Sequence, residues 1–223
     1  MNVSDAINTR LTARAFLDKP VDGALVRQIL ETAKRAPSGG NLQPWRVWVL
    51  GGEEMVRFKL LMKDKISANP RGEGTEYNIY PAELKEPYKS RRFKVGEDMY
   101  ATIGVTRDDK FGRLLQFSRN FEFFGAPCAM FFAIDRQMQQ GQWADLGMFM
   151  QSIMLLAREH GLHTASQEAW AIWHKTLGEF LDIPPELMLF CGMAVGYIDP
   201  AAPINSLRSE RDPLDAFVTF KGI

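Results

Sequence analysis

Two near-continuous apolar runs, Cys128 to Ile134 and Met188 to Tyr197, constrain this chain more than anything else in it. A strand that reads apolar at nearly every position is covered on both faces. Each run therefore predicts a central strand with packing above and below it. Between them lies the clearest helical pattern of the sequence, Trp143 to about His160. Leu146, Phe149, Met150, Ile153, Leu156 and Ala157 keep a three/four spacing there, and Gly161 marks the stop. Other elements follow more weakly: a short helix from Asp5 to about Asn8 capped by Ser4, and a helix from Asp22 to about Arg35. Then come a strand from Trp45 to Leu50, a helix from Glu53 to about Lys65, and helical stretches at Asp98–Ile103 and Lys110–Asn120. A helix ends near Leu181 ahead of Pro184-Pro185, and the tail from Ile198 to Ile223 turns strand-like at Ala216–Phe220. No repeat, low-complexity tract or linker divides the sequence. The expected architecture is one α+β domain, residues 1–223, with a central antiparallel or mixed sheet flanked by helices.

With 223 residues, 46% of them hydrophobic, the chain is long enough to bury a full core. Its 27 basic and 27 acidic side chains balance, which removes the electrostatic argument for nucleic-acid binding. No apolar run is long enough for a membrane span, and the first residues lack the plan of a signal peptide. Cys128 and Cys191 both sit inside apolar strand-like runs and are expected to be reduced core thiols, which points to the cytoplasm.

Three stretches carry more polar chemistry than a fold needs. Pro37-Ser38-Gly39-Gly40-Asn41-Leu42-Gln43-Pro44-Trp45 fills a helix-to-strand connection with small and hydrogen-bonding residues. Pro37 stops the helix, and the glycines open backbone angles closed to other residues. Arg10, Thr12 and Arg14 point to one side if their segment is extended, and two guanidinium groups around a hydroxyl suit a phosphate or similar anion. From Ser67 to Val95 runs a polar excursion with four aromatics, Tyr77, Tyr80, Tyr88 and Phe93, of the length that lids and binding loops have. No nucleophile elbow, zinc motif, phosphate-binding Walker loop or dinucleotide fingerprint is present. His160 and His163 fall near the end of the long helix, where a dipole or surface role is expected. Site-like loops without reactive side chains imply either simple binding or chemistry borrowed from a cofactor.

In these residues the chain resembles the FMN-dependent nitroreductase family over nearly its whole length. The resemblance rests on Arg10-Leu11-Thr12-Ala13-Arg14, on the loop from Pro37 to Trp45, on Ser166-Gln167-Glu168-Ala169-Trp170 and on Arg211-Asp212-Pro213-Leu214-Asp215. It implies an FMN-dependent oxidoreductase that passes a hydride from NADH or NADPH to a nitroaromatic or quinone acceptor in a ping-pong cycle. Arg10, Thr12 and Arg211 would hold the FMN phosphate, with Leu11 beside them and Arg208 as a second contact. Arg14 would lie near flavin N1 and the C2 oxygen, and the backbone at Glu168, flanked by Ser166, Gln167 and Ala169, would face N5. Pro37, Ser38, Gly39 and Asn41 would reach the flavin from the other subunit of an intertwined homodimer. The tail strand near Phe217–Phe220 would add to the partner's sheet. No metal site is expected. The same fold also serves flavin destructases and reductive dehalogenases, and a flavin-binding protein without turnover is a further alternative.

Overall fold

The computed structural model describes residues 1–222; the last residue of the tail, Ile223, lies outside the described residues. Four strands form one antiparallel sheet in the order β1-β2-β4-β3: β1 Trp45–Gly51, β2 Cys128–Asp135, β3 His163–Gln167 and β4 Leu187–Gly196. The two strands expected to be central, β2 and β4, occupy the middle and pair with each other from Cys128↔Val195 to Asp135↔Leu187.

Their alternating side chains feed two separate cores. Ala129 and Phe131 of β2, with Leu189 and Ala194 of β4, face a layer built around Phe58, Phe123, Trp170 and Trp173. That layer comes from α3 (Gly52–Ala68), the turns at Arg119–Gly125 and Glu168–Trp173, and α7 (His174–Phe180). On the opposite face, Met130, Phe132 and Ile134 with Cys191, Met193 and Val195 pack on α2 (Gly23–Ala33) and α6 (Gln140–Glu159). This double cover explains why both central runs are apolar at nearly every position. Gly192 of β4 is required by the first core: a Cβ there would stand 2.4 Å from Cδ1 of Trp170.

Several expectations shift. The first helix, α1, runs Val3–Thr9 and is capped by Asn2, whose Oδ1 accepts from the Asp5 N–H at 2.8 Å, so Ser4 falls inside it. The excursion is shorter than read. Its last residues belong to α4 (Tyr88–Ala101), which absorbs the predicted 98–103 piece and precedes α5 (Lys110–Ser118). No proline interrupts Tyr88–Ala101, so the helix carries on through Gly96. His163 is buried in β3 instead of taking up a surface or dipole role. Ala216–Phe220 joins no sheet within the chain: a 3₁₀ turn covers Leu214–Ala216, and Phe217 and Phe220 are 69% and 55% exposed. A strand needs a neighbour to donate and accept hydrogen bonds, and this one has none among the described residues. Both cysteines are free and buried. Among the described residues no helix is long and apolar enough to cross a membrane.

Candidate functional site

The segment after α1 is extended, as the spacing of Arg10, Thr12 and Arg14 requires. It runs parallel to the outer edge of β3 through a bridge between Thr12 and Thr164, with the Ala13 N–H donating to Thr164 O at 3.1 Å. Asn205 locks it from the other side. Its Oδ1 accepts from the Arg14 N–H at 2.8 Å, while its Nδ2 donates to Ala15 O at 2.9 Å and Asp199 O at 2.8 Å. Asn205 is itself buried and spends its whole amide on backbone. The tail turn carrying Arg208 is thereby fixed to the Arg10–Arg14 segment, and Arg208 Nη1 donates to Asn205 O at 2.9 Å.

Arg14 is the unusual member. Its guanidinium finds one hydrogen bond, to Thr12 O at 3.3 Å, and no carboxylate partner among the described residues. Burial pulls its pKa down, with the Tyr100 phenol acting in the opposite direction. A desolvated cation without a counter-ion is costly unless something anionic completes it. Nearby, Thr164 Oγ1 on β3 is buried with no hydrogen-bond partner.

At the foot of the segment a polar cavity of about 450 Å³ is lined by Thr9, Leu11, Arg158, His163, Asn205 and Arg208, among others. Arg158 closes the end of α6 by donating to Leu162 O at 3.0 Å and meets His163 Nδ1 at 3.3 Å. Burial and the charges of Arg158 and Arg208 push the His163 imidazole down to about 4, so it is neutral near pH 7.

Ser166 to Ala169 span the end of β3 and the start of the turn after it. Ser166 is exposed at the strand edge and directs its hydroxyl to Met154 Sδ at 3.7 Å. Gln167 is buried; its Nε2 donates to Asn120 O at 2.8 Å and Oδ1 at 3.2 Å, tying β3 to the turn before β2, and its Oε1 has no partner. Glu168 is half-buried, and desolvation raises its pKa. Ala169 packs against the first core.

Helix α4 spans this region lengthwise. Tyr100, near its end, lies under the Arg113 guanidinium, which stands 4.3 Å from the ring centroid. Near its start, Arg91 pairs with Asp212 and Lys94 with Glu210 at 3.1 Å. Nine residues of helix put about 14 Å between the two ends. Arg211, between those two carboxylates, is exposed and folds its Nη1 onto Ser209 Oγ (2.8 Å) and Glu210 O (2.8 Å).

The Pro37–Trp45 loop sits elsewhere in the chain. Gly39 N–H donates to Asp145 Oδ2 at 3.1 Å, and Ser38 Oγ accepts from the Gln43 N–H at 3.0 Å. Pro37, Gly39 and Asn41 are exposed. The left-handed residues are Gly40, Asn41 and Gln43, at φ 58°, 56° and 49°, so the strain falls on two residues with side chains and on only one of the glycines. Asp145 lies near the start of α6 and Arg158 near its end, about 20 Å apart along the axis. One chain therefore holds the Arg10–Arg14 segment and this loop at opposite ends of α6.

Sequence reasoning missed Asn205 and Tyr100 as parts of this arrangement. An isolated Asn in a polar tail or an isolated Tyr in a helix carries no spacing signal. Among the described residues no His, Cys, Asp and Glu group is placed to hold a metal.

The family model of the nitroreductase family matches residues 7–197, and the chain belongs to that family. It is 36% identical over 218 residues to a chloronitrobenzene nitroreductase of Comamonas testosteroni, covering 98% of this chain and 96% of that one. Among solved structures it is similar to an FMN and NADPH-dependent nitroreductase, NfnB, from sphigopyxis sp. strain HMH, with 44% identity, full coverage of both chains and a TM-score of 0.96. It is likewise similar to the FMN-dependent nitroreductase NfnB of Mycobacterium smegmatis in complex with NADPH. There the identity is 25%, the coverage 98% and 97%, and the TM-score 0.92.

Proposed function

We propose that this chain is an FMN-dependent NAD(P)H oxidoreductase that reduces nitroaromatic compounds, with quinone-type acceptors as a second substrate class. The observation that carries the reading is Arg14: a desolvated guanidinium with no carboxylate partner among the described residues, its backbone fixed through Asn205. The chain's donor set fits FMN at both ends. Arg10, Leu11, Thr12, Arg208 and Arg211 would hold the phosphate end, and Arg14 the pyrimidine side of the ring. The β3 exit, Ser166 to Ala169, would face N5. Bound FMN supplies the hydride chemistry, accepting from NADH or NADPH and giving to the acceptor.

The protein's own part follows from these side chains. Arg14 places a fixed positive charge where negative charge gathers on reduction, and its desolvation strengthens that effect. The backbone N–H at Glu168 would meet the flavin, and the packed aromatic layer around Trp170 would help to keep water from it. No dedicated acid or base is required of the chain.

The finer reading is a homodimer with FMN at the subunit interface. Gly39 sits on the start of α6 at Asp145, whereas Thr9, which leads into the Arg10–Arg14 segment, sits on Arg158 near its end, and a second copy would bring Pro37, Ser38, Gly39 and Asn41 to that segment. An apolar groove of about 740 Å³ between α2, α3 and the end of β1, lined by Val26, Leu30, Val49, Met55 and Val56, matches the exposed Phe217 and Phe220 of a partner's tail. The tail strand expected from the sequence would form there, against β1. We take residues 1–223 as one folding unit, since both cores share the same four strands, and the cytoplasm as its compartment, in keeping with two free buried thiols.

Mixing two inactive variants, Arg14→Ala and Ser38→Trp, tests the shared site. Mixed dimers have one intact site and regain NADPH-dependent nitro reduction; absence of any recovery contradicts a site built from two chains.

A further inference from the structure

Arg211 faces a difficulty of its own sequence. It lies between Glu210 and Asp212, so a phosphate drawn to its guanidinium meets two carboxylates within a residue on either side. A doubly charged phosphate is repelled by both wherever they stand free. In the fold they do not stand free. Arg91 of α4 takes Asp212, and Lys94, one turn further along the same face, takes Glu210 at 3.1 Å while Asp98 steadies it at 2.6 Å. The helix thus presents two cations, spaced three residues apart, to two anions spaced two apart in an extended tail. Both carboxylates are drawn toward α4, leaving Arg211 without an ion pair among the described residues.

We propose that Arg91 and Lys94 are positioning residues for phosphate recognition. By holding Asp212 and Glu210 on α4, they free Arg211 to meet a phosphate monoester and remove the repulsion that its neighbours would impose. This deepens the FMN reading and rests on it. It also gives the excursion that ends in α4 a role at the cofactor, through the ion pairs that join the helix to the tail. The contribution depends on the charge of the ligand's phosphate. Riboflavin, which has the same ring and chain without that group, is indifferent to it.

The test compares FMN with riboflavin. Protein loaded with either flavin is diluted, and release is followed by recovery of flavin fluorescence. Arg91→Ala/Lys94→Ala is set beside Arg211→Ala and beside the charge exchange Arg91→Asp/Asp212→Arg. The expected result is an FMN dissociation constant raised about 3- to 10-fold in the double variant, as for two exposed ion pairs. Riboflavin affinity stays unchanged, and the exchange variant stays near wild type. Equal weakening of FMN and riboflavin overturns the proposal, because the helix then acts only on the fold. So does selective loss of FMN in Arg211→Ala with none in the double variant. If Arg211→Ala leaves FMN affinity untouched, the phosphate reading of Arg211 fails and takes this inference with it.

Discussion

Around β3 the polar groups are tied inward to backbone, whereas along α4 they are tied outward to other exposed charges. Asn205 alone makes three hydrogen bonds to backbone, joining Arg14 and Ala15 to Asp199, and Gln167 is bonded to Asn120. On the other side, α4 buries no residue at all and meets the tail through ion pairs between exposed side chains. The first region is preorganised and the second adjustable. A site that must hold a cofactor permanently while admitting successive substrates needs both.

Mutation can break this contrast at its rigid end first. Gly192→Ala forces a methyl into Trp170 beneath the sheet. The expected loss is about 3 kcal/mol of stability, read as a fall in thermal midpoint, because neither a central strand nor a fully buried indole can shift. A midpoint within a degree of wild type would show the core to be looser than described. Asn205→Ala comes next. It strips partners from one N–H and two carbonyls, at a cost of about 2 kcal/mol, and lowers flavin content in purified protein. Retention of full flavin loading would deny that Asn205 organises the site.

Arg14→Ala separates chemistry from stability. Anaerobic reduction of bound flavin by NADPH is expected to slow about 10- to 100-fold. Unfolding free energy hardly changes, because a buried charge without a carboxylate partner contributes little to the fold. Equal reduction rates in fully loaded protein would remove Arg14 from the mechanism.

Two titrations sharpen the comparison with smaller effects. His163 is depressed to about 4 from an ordinary 6.5, so the unfolded chain takes up its proton first. Stability is complete above about 6.5 and declines as the pH falls from there toward 4. His163→Gln flattens that limb, and an unchanged slope would reassign it. Glu73, in the excursion, runs the usual carboxylate way. Desolvation opposes ionisation, but hydrogen bonds from Thr176 and Lys175 at the start of α7 outweigh it and hold the pKa below 4.5. Its contribution is present above 4.5 and disappears as the pH falls through the lowered value. Glu73→Gln reduces stability by about 1 kcal/mol at neutral pH, with no effect on flavin reduction.

Periodicity made the sheet and α6 legible, because apolar spacing records which faces are covered. The Arg10–Arg14 segment was legible for the same reason, since a two-residue spacing in an extended chain can put its side chains on only one side. The start of α4 was not, because a helix with no buried face leaves no apolar stripe. Charge pairs such as Lys94–Glu210 join positions 116 apart and have no local signature. The strain at Asn41 and Gln43 was hidden for a different reason: two glycines in the loop suggested where left-handed backbone falls, and only Gly40 adopted it. The strand-like composition of Ala216–Phe220 was legible too, but a strand forms only against a neighbour, and among the described residues the tail has none.

The central claim is that the chain uses a bound flavin as its electron carrier, and one spectrum tests it most directly. The visible absorption of the purified protein is recorded before and after anaerobic addition of NADPH, then after a nitroaromatic compound. The account predicts a bound-flavin spectrum that bleaches with NADPH and returns with the acceptor. A protein that shows no flavin bands even after soaking with FMN would contradict it.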